Sequence, residues 1–237
     1  MLHTQRDGAV SLLTLQRPER RNALDLDLCR AIDRAAAAEV AAGARVLVVT
    51  GEGSSFCSGA DLTGVYGEEF LQALYGMLHG LTRLPVPIVA AVNGPAIGAG
   101  TQLALACDLR IGDASARFGV PTARNGMAVD AWTMRTLAAI AGGGMARRLM
   151  LAAELIDTDA AIGCGLLDRA GTVDDALVWA QEIAALAPLP LAHNKLVLNG
   201  GDDASIAETF AACWASDDVR EAATARREKR TPVFTGR

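Results

Sequence analysis

Short apolar runs alternate with helix-period segments through the first half of the chain. Residues 9–15 and 45–50 read as strands, the second (Arg45-Val-Leu-Val-Val-Thr50) apolar through its centre, as a strand buried on both faces should be. Between them a helix over about 25–41 follows the apolar series Leu24, Leu28, Ile32 and Ala35. Asp25 and Asp27 lie near its start, where carboxylates suit exposed N–H groups, and Gly43 sits just past its end. This is a β-α-β opening. A glycine-rich loop, Thr50–Leu62, leads into a helix-compatible but glycine-interrupted stretch reaching about Leu84. A strand at 87–92 then runs into Asn93-Gly-Pro-Ala-Ile-Gly-Ala-Gly-Thr-Gln102. Leu103, Leu105 and their alanine neighbours fit a helix packed on all sides, and Leu109–Ile111 a short strand. From about 131 the pattern is helical almost to the end, with breaks at Gly142–Gly144, Gly163–Gly165, Pro188–Pro190 and Gly200–Gly201. The strands are therefore expected in the first half. A mixed α/β core over residues 1–185 precedes a C-terminal helical region, 186–237. Its Leu191, Leu196, Ile206, Phe210 and Trp214 need a surface to bury against, which another subunit could supply.

Composition narrows the classes. With 237 residues, 51% apolar and 21% charged, the chain can bury one main core. A net charge of −5 and 4% aromatic residues disfavour phosphate backbones, base stacking and anionic membrane surfaces, so neither nucleic acid nor a membrane is the expected partner. The N-terminal Met-Leu-His-Thr-Gln-Arg-Asp is too polar for a signal peptide, and no apolar run reaches the roughly 18 residues of a membrane span. Five scattered cysteines show no zinc or redox spacing. The expectation is a cytoplasmic protein with no metal site. Of 22 basic residues only Lys195 and Lys229 are lysines, a bias that assigns no function by itself.

Two glycine turns offer chemistry. Cys57-Ser-Gly-Ala-Asp61 and Ile97-Gly-Ala-Gly100 each let a backbone N–H approach a ligand closely, and the second opens a helix, whose positive end favours negative charge developing on a carbonyl oxygen. Taken singly, each such turn is more often structural than catalytic, and spacing alone does not separate the two readings. A dinucleotide fingerprint fits poorly, since Leu103 stands where a third Gly or Ala belongs. Neither a Walker A loop nor a Gly-x-Ser-x-Gly elbow is present. His3, His79 and His193 are scattered without an acidic or nucleophilic partner in a shared motif, which reads as surface or satisfied packing.

Six ordered segments resemble the crotonase, or enoyl-CoA hydratase/isomerase, superfamily: Arg17-Pro-Glu-Arg-Arg-Asn-Ala-Leu24, Phe56-Cys-Ser-Gly-Ala-Asp-Leu62, Ala91–Gly100, Cys107-Asp-Leu-Arg110, Phe118-Gly-Val-Pro121 and Glu228-Lys-Arg-Thr-Pro-Val-Phe234. The resemblance implies an α/β fold, a ββα spiral core with a C-terminal helical trimerisation region. It also implies a coenzyme A thioester as ligand or substrate, with no permanently bound cofactor. By motif position the thioester oxygen would lie between the N–H groups of Ala60 and Ala99. Arg20 and Arg21 would face the coenzyme phosphates, and Ser58, Ala60, Asp61 and Leu62 the adenine and pantetheine path. Lys229 and Phe234 would be offered to the adenine end by a neighbouring subunit, within a homotrimer or a dimer of trimers. The 63–84 stretch would cover the acyl end. Ordinary alternatives stand beside these roles: a solvated turn for the arginines, a local loop hydrogen bond for Asp61, a frayed tail for Lys229 and Phe234.

The departures from the family pattern bear most on function. A hydratase of this family uses two glutamates to add water; their positions here hold Gln102 and Thr122. Neither side chain can act as a carboxylate base near neutral pH. The leading expectation is a family member that binds fatty acyl-CoA for carriage, delivery or sensing in fatty acid metabolism, with hydration lost. The alternative is an isomerase, lyase or substitution enzyme using Asp130, the one motif-placed carboxylate, with Trp132 lining pocket or core. Asp130 equally fits the N-cap of the helix that follows it.

Overall fold

The computed structural model describes residues 1–62 and 67–237. In chain order the elements are β1 (Leu2–Asp7), β2 (Val10–Leu15), α1 (Leu26–Ala41), β3 (Val46–Gly51), α2 (Glu68–Arg83), β4 (Ile88–Val92), β5 (Pro95–Ile97), α3 (Ala99–Ala106), β6 (Leu109–Gly112) and β7 (Arg117–Gly119). They continue with α4 (Ala131–Leu151), β8 (Ile156–Asp157), α5 (Thr158–Gly163), β9 (Arg169–Ala170), α6 (Val173–Ala184), α7 (Pro188–Leu198), α8 (Asp203–Ala215) and α9 (Asp217–Glu228). Among the described residues the strands form one six-stranded sheet, ordered β1-β2-β3-β4-β6-β9, and a smaller one, β5-β7-β8. β1 pairs antiparallel with β2, and the remaining pairs of the large sheet are parallel.

The alternation along β3 explains how both faces of the large sheet are covered. Val46 and Val48 join Val89, Ala91 and Ile111 under α6, while Leu47 and Val49 face the larger cluster with Leu28 and Ile32 of α1, Leu78 of α2 and Leu103 of α3. Every residue of β3 is buried, as the unbroken apolar run requires. The α1 reading also holds: Asp25 is its N-cap, accepting the Leu28 N–H, and Gly43 takes the left-handed conformation after it, with φ +95°. All eight residues of α3 are buried, the helix packed on all sides that its alanine-rich sequence predicts.

The structure corrects two expectations. β8 and β9 lie in the second half of the chain, each only two residues long, too short to show a period-2 pattern. β1 forms from the polar N-terminus because an edge strand with mostly exposed side chains needs only the β2 ladder. Of the 63–84 stretch, residues 63–66 lie outside the described residues, and α2 occupies most of the remainder. The glycine break at 142–144 appears as a kink inside α4, where Gly142 has φ 80° and ψ 151°.

The helices after residue 186 are tied to the sheet by polar anchors. The buried Lys195 ammonium lies 2.8 Å from an Asp108 carboxylate oxygen and donates to the carbonyls of Leu81 and Val86. Burial pushes the Asp108 carboxyl up from its ordinary range, against the pull of Lys195. Arg45 donates to the carbonyls of Leu186 and Phe234. Among the described residues no helix is long and apolar enough to cross a membrane.

Candidate functional site

Three loops converge at the C-terminal ends of the parallel strands, where ligands bind in open α/β sheets. The loop after β3 is held on both sides by single parallel bridges, Ala60 to Leu24 and Cys57 to Ala96. On one side Leu24 N–H donates to the Gly59 carbonyl and Asp61 N–H to the Leu24 carbonyl, both at 2.8 Å. On the other, Cys57 N–H donates to Pro95 at 3.1 Å and Ile97 N–H to Cys57 at 2.9 Å. Asn93 fastens the ends of β3 and β4 together: its oxygen accepts from Gly51 N–H, and its Nδ2 donates to the Gly51 and Gly53 carbonyls. Two glycines permit this stacking. Gly59 has φ +108°, and a Cβ there would stand 2.8 Å from the Ile97 carbonyl oxygen; a Cβ on Gly100 would strike the Cys57 carbonyl.

Both sequence-assigned N–H groups remain available. Among the described residues neither Ala60 N–H nor Ala99 N–H has a hydrogen-bond partner. Ala99 opens α3, where the first N–H groups have no intrahelical acceptor and carry the helix's partial positive charge.

A cavity of about 420 Å³ opens over these turns. Glu19, Arg20 and Arg21 stand at one end, Ser58–Leu62 and Ile97–Ala99 form the floor, and Phe70, Leu71, Leu74 and Tyr75 of α2 make an apolar wall. Gln102, Pro121, Thr122 and Met127–Val129 close the other side. Arg20 and Arg21 are exposed, and among the described residues neither guanidinium makes an ion pair. Ser58 joins the arginine turn to the floor, its N–H donating to the Arg21 carbonyl at 3.0 Å. The Asp61 carboxylate is held at 3.0 Å by Arg17, which also pairs with Asp25. This ion pair spans two segments and is not the local loop hydrogen bond weighed for Asp61. Arg17, not singled out in the sequence, is the residue that makes the bond.

Beside Gln102 runs a chain of polar contacts. Gln102 Nε2 donates to Thr133 Oγ1 at 2.7 Å, and Thr133 Oγ1 donates to Asp130 Oδ1 at 2.6 Å. Thr133 N–H donates to the same Oδ1, so Asp130 caps α4. The other oxygen of Asp130 lies 3.2 Å from His79 Nε2, and its N–H donates to the Tyr75 hydroxyl at 3.2 Å.

The structure brings Arg20, Arg21, Ser58, Ala60, Asp61, Leu62, Ala99, Gln102 and Thr122 together around one cavity. Asp130 and Trp132 fall just outside its lining. Asp130 is turned into the cap, and Trp132 packs on the core edge-on to His79, ring centroids 5.2 Å apart. Lys229 ends α9 in the left-handed conformation, and Phe234 is held through its carbonyl by Arg45; neither lines the cavity of its own chain. His193 is satisfied by Thr209 and His3 is exposed, as expected. His79 is satisfied as well, by an acidic partner that the fold supplies and its sequence neighbourhood lacks. Tyr75 and His79 were legible only as an i, i+4 pair on one face of α2. Burial pushes the Cys57 thiol beneath the floor up to about 12, so it stays protonated at neutral pH and is no nucleophile.

The enoyl-CoA hydratase/isomerase family matches residues 5–237. A protein of Mycobacterium leprae named "Probable enoyl-CoA hydratase echA6" is 43% identical over 245 residues, covering 98% of each chain. The short-chain-enoyl-CoA hydratase of Clostridium acetobutylicum is 32% identical, covering 95% of this chain and 94% of its own. Among solved structures, the enoyl-CoA hydratase of Bacillus anthracis superimposes with a TM-score of 0.89 at 27% identity, over 100% of this chain and 99% of that one.

Proposed function

The chain belongs to the enoyl-CoA hydratase/isomerase family, a crotonase-superfamily protein, and from that premise we propose that it binds fatty acyl-CoA thioesters with hydration lost. The thioester oxygen lies between the N–H groups of Ala60 and Ala99, with the coenzyme phosphates toward Arg20 and Arg21. One observation carries this reading. The two free N–H groups share a cavity with Gln102 and Thr122, while the carboxylates among its described lining residues are Glu19, next to Arg20 in the chain, and Asp61, which Arg17 holds. On this reading two N–H groups polarise the thioester, with these two carboxylates alone in the described lining and Gln102 and Thr122 at the positions where a hydratase moves protons. A carrier, delivery or sensing role in fatty acid metabolism follows.

Asp130 serves a catalytic reading less well. Thr133 occupies one of its oxygens twice, His79 faces the other, and the residue stands outside the cavity lining. The exposed apolar residues of the C-terminal region, among them Leu198 at 85% and Trp214 at 68%, are covered when three copies associate.

Calorimetry with a saturated acyl-CoA series tests the binding, and loss of the conjugated enoyl absorbance of crotonyl-CoA tests the chemistry. The expected result is binding without appreciable hydration, since each missing acid or base is worth about 10²–10⁴ in rate. Brisk hydration overturns the loss of activity, and silence with every thioester overturns the site.

A further inference from the structure

The apolar wall of the cavity is held at one end by the C-terminal region. Phe70, Leu71, Leu74 and Tyr75 line the cavity from the first half of α2. At the other end of that helix the sequence withholds the usual partners. The Leu81 carbonyl would take its helical bond from residue 85, a proline without an N–H, and the chain has left the helix before it reaches the donor due to Thr82. Both carbonyls are met from α7, 114 and 117 residues further along. Lys195 Nζ donates to Leu81 at 3.1 Å, and Asn199 Nδ2 donates to Thr82 at 2.9 Å. Lys195 also donates to the Val86 carbonyl at 2.9 Å and pairs with Asp108 at 2.8 Å, so its three protons are all placed. Among the described residues, the first turn of α2 reaches another element by a polar side chain only through the exposed Arg30–Glu69 pair, a contact worth little in water.

We propose that Lys195 and Asn199 are positioning residues for this wall, and that through them the C-terminal region sets how firmly the cavity grips an acyl chain. The proposal rests on the thioester reading above and adds what determines the preference for chain length. Leu74, Met77, Leu78 and Leu81 hold α2 on the core, but apolar contact is non-directional and leaves the tilt of the axis soft. Asp130 meets Tyr75 and His79 along one side of the helix, which leaves rotation about that contact free. The bonds to Leu81 and Thr82 remove it. Leu71 stands ten residues before Leu81, about 15 Å along the axis, so a tilt of about 4° displaces one by about 1 Å relative to the other. A gap of that size forfeits about a quarter to a half of the dispersion contact with a chain lying on the wall. Each buried methylene is worth about fourfold in affinity, so a long chain reads the position of the wall and a two-carbon chain does not.

Titration calorimetry on the whole chain with free coenzyme A, acetyl-CoA and dodecanoyl-CoA tests this. In wild type the dodecanoyl thioester should bind at least about a hundredfold tighter than the acetyl one, a margin that about four buried methylenes supply. Lys195→Met combined with Asp108→Asn removes the buried pair without leaving a lone charge. It should cut that ratio at least about tenfold and leave the affinity for free coenzyme A within about twofold. Asn199→Ala, at an exposed position, removes the Thr82 bond alone and should cut the ratio about threefold. The ratio is measured on folded protein, so a loss of stability does not imitate the result. An unchanged ratio in the folded double variant overturns the proposal; if that variant does not fold, an unchanged ratio in Asn199→Ala does so. Equal losses for free coenzyme A and both thioesters also overturn it, since they mark general damage. A wild-type ratio near one overturns the grip of the wall and leaves the thioester site standing, whereas failure of every thioester to bind overturns this proposal together with the reading beneath it.

Discussion

The imidazole Nε2 of His79 stands 3.2 Å from Oδ2 of Asp130, fastening α2, one wall of the cavity, to the first turn of α4. Asp130 therefore serves two elements with two oxygens. Asp130→Ala removes the cap and should cost about 0.5–2 kcal/mol, read as a lower urea midpoint. Asp130→Asn should retain most of that stability, because asparagine caps about as well as aspartate. Equal stability of wild type and the alanine variant would show that the cap contributes nothing.

Gly100→Ala is expected to be disproportionately damaging for so small a change. The added methyl meets the Cys57 carbonyl, which is itself hydrogen-bonded to Ile97 N–H. The β3 loop must withdraw, separating Ala60 from Ala99. Thermal unfolding should show a destabilisation of at least about 1–3 kcal/mol, the usual range for an overpacked buried site. Acyl-CoA affinity should fall in the fraction that folds.

Alkaline pH should weaken the fold through its buried thiols. Burial, foremost, raises Cys29, Cys57 and Cys107 from 9.0 to about 12. Above pH 9 the unfolded chain releases these protons while the folded chain holds them, so stability falls as pH rises from 9 toward about 12. Urea midpoints measured across that window should decline. A Cys29→Ala, Cys57→Ala, Cys107→Ala variant, weaker at neutral pH because of its cavities, should decline less steeply.

Light scattering at micromolar concentration should give a mass three or six times the 24.6 kDa of one chain. Trp214→Glu places a charge in the exposed cluster of Phe210 and Trp214, whose ring centroids are 6.3 Å apart, and should shift the mass toward the monomer. A monomeric wild type would also remove Lys229 and Phe234 as groups donated to a neighbour.

Local pattern carried the inner strands β2, β3, β4 and β6 of the large sheet and the limits of α1, because buried strands and capped helices are specified by their own residues. Asp25, Gly43 and the all-buried α3 are examples. The two glycine turns were legible as turns, and Ala60 and Ala99 line one cavity as their placing after two strands suggests. Contacts between distant segments were illegible. Nothing near His79 announces Asp130, and nothing near Asp61 says that Arg17 holds its carboxylate. β8 and β9 stayed hidden because two residues owe their strand conformation to tertiary pairing alone. Trp132, expected to line pocket or core, takes the second of these places in the first turn of α4, two residues beyond Asp130.

The burial of Lys195 has a consequence for self-modification. Thioesters acylate free amines, and the side-chain amines of this sequence are those of Lys195 and Lys229 alone. The first is buried, its Nζ engaged by Asp108 and two carbonyls and shut away from solvent. The cations that line the cavity, Arg20 and Arg21, are guanidiniums, whose delocalised nitrogens are poor nucleophiles. If the cavity holds the proposed thioester, the arginines attract its phosphates without attacking its carbonyl, and the exposed Lys229 is the side-chain amine it would acylate.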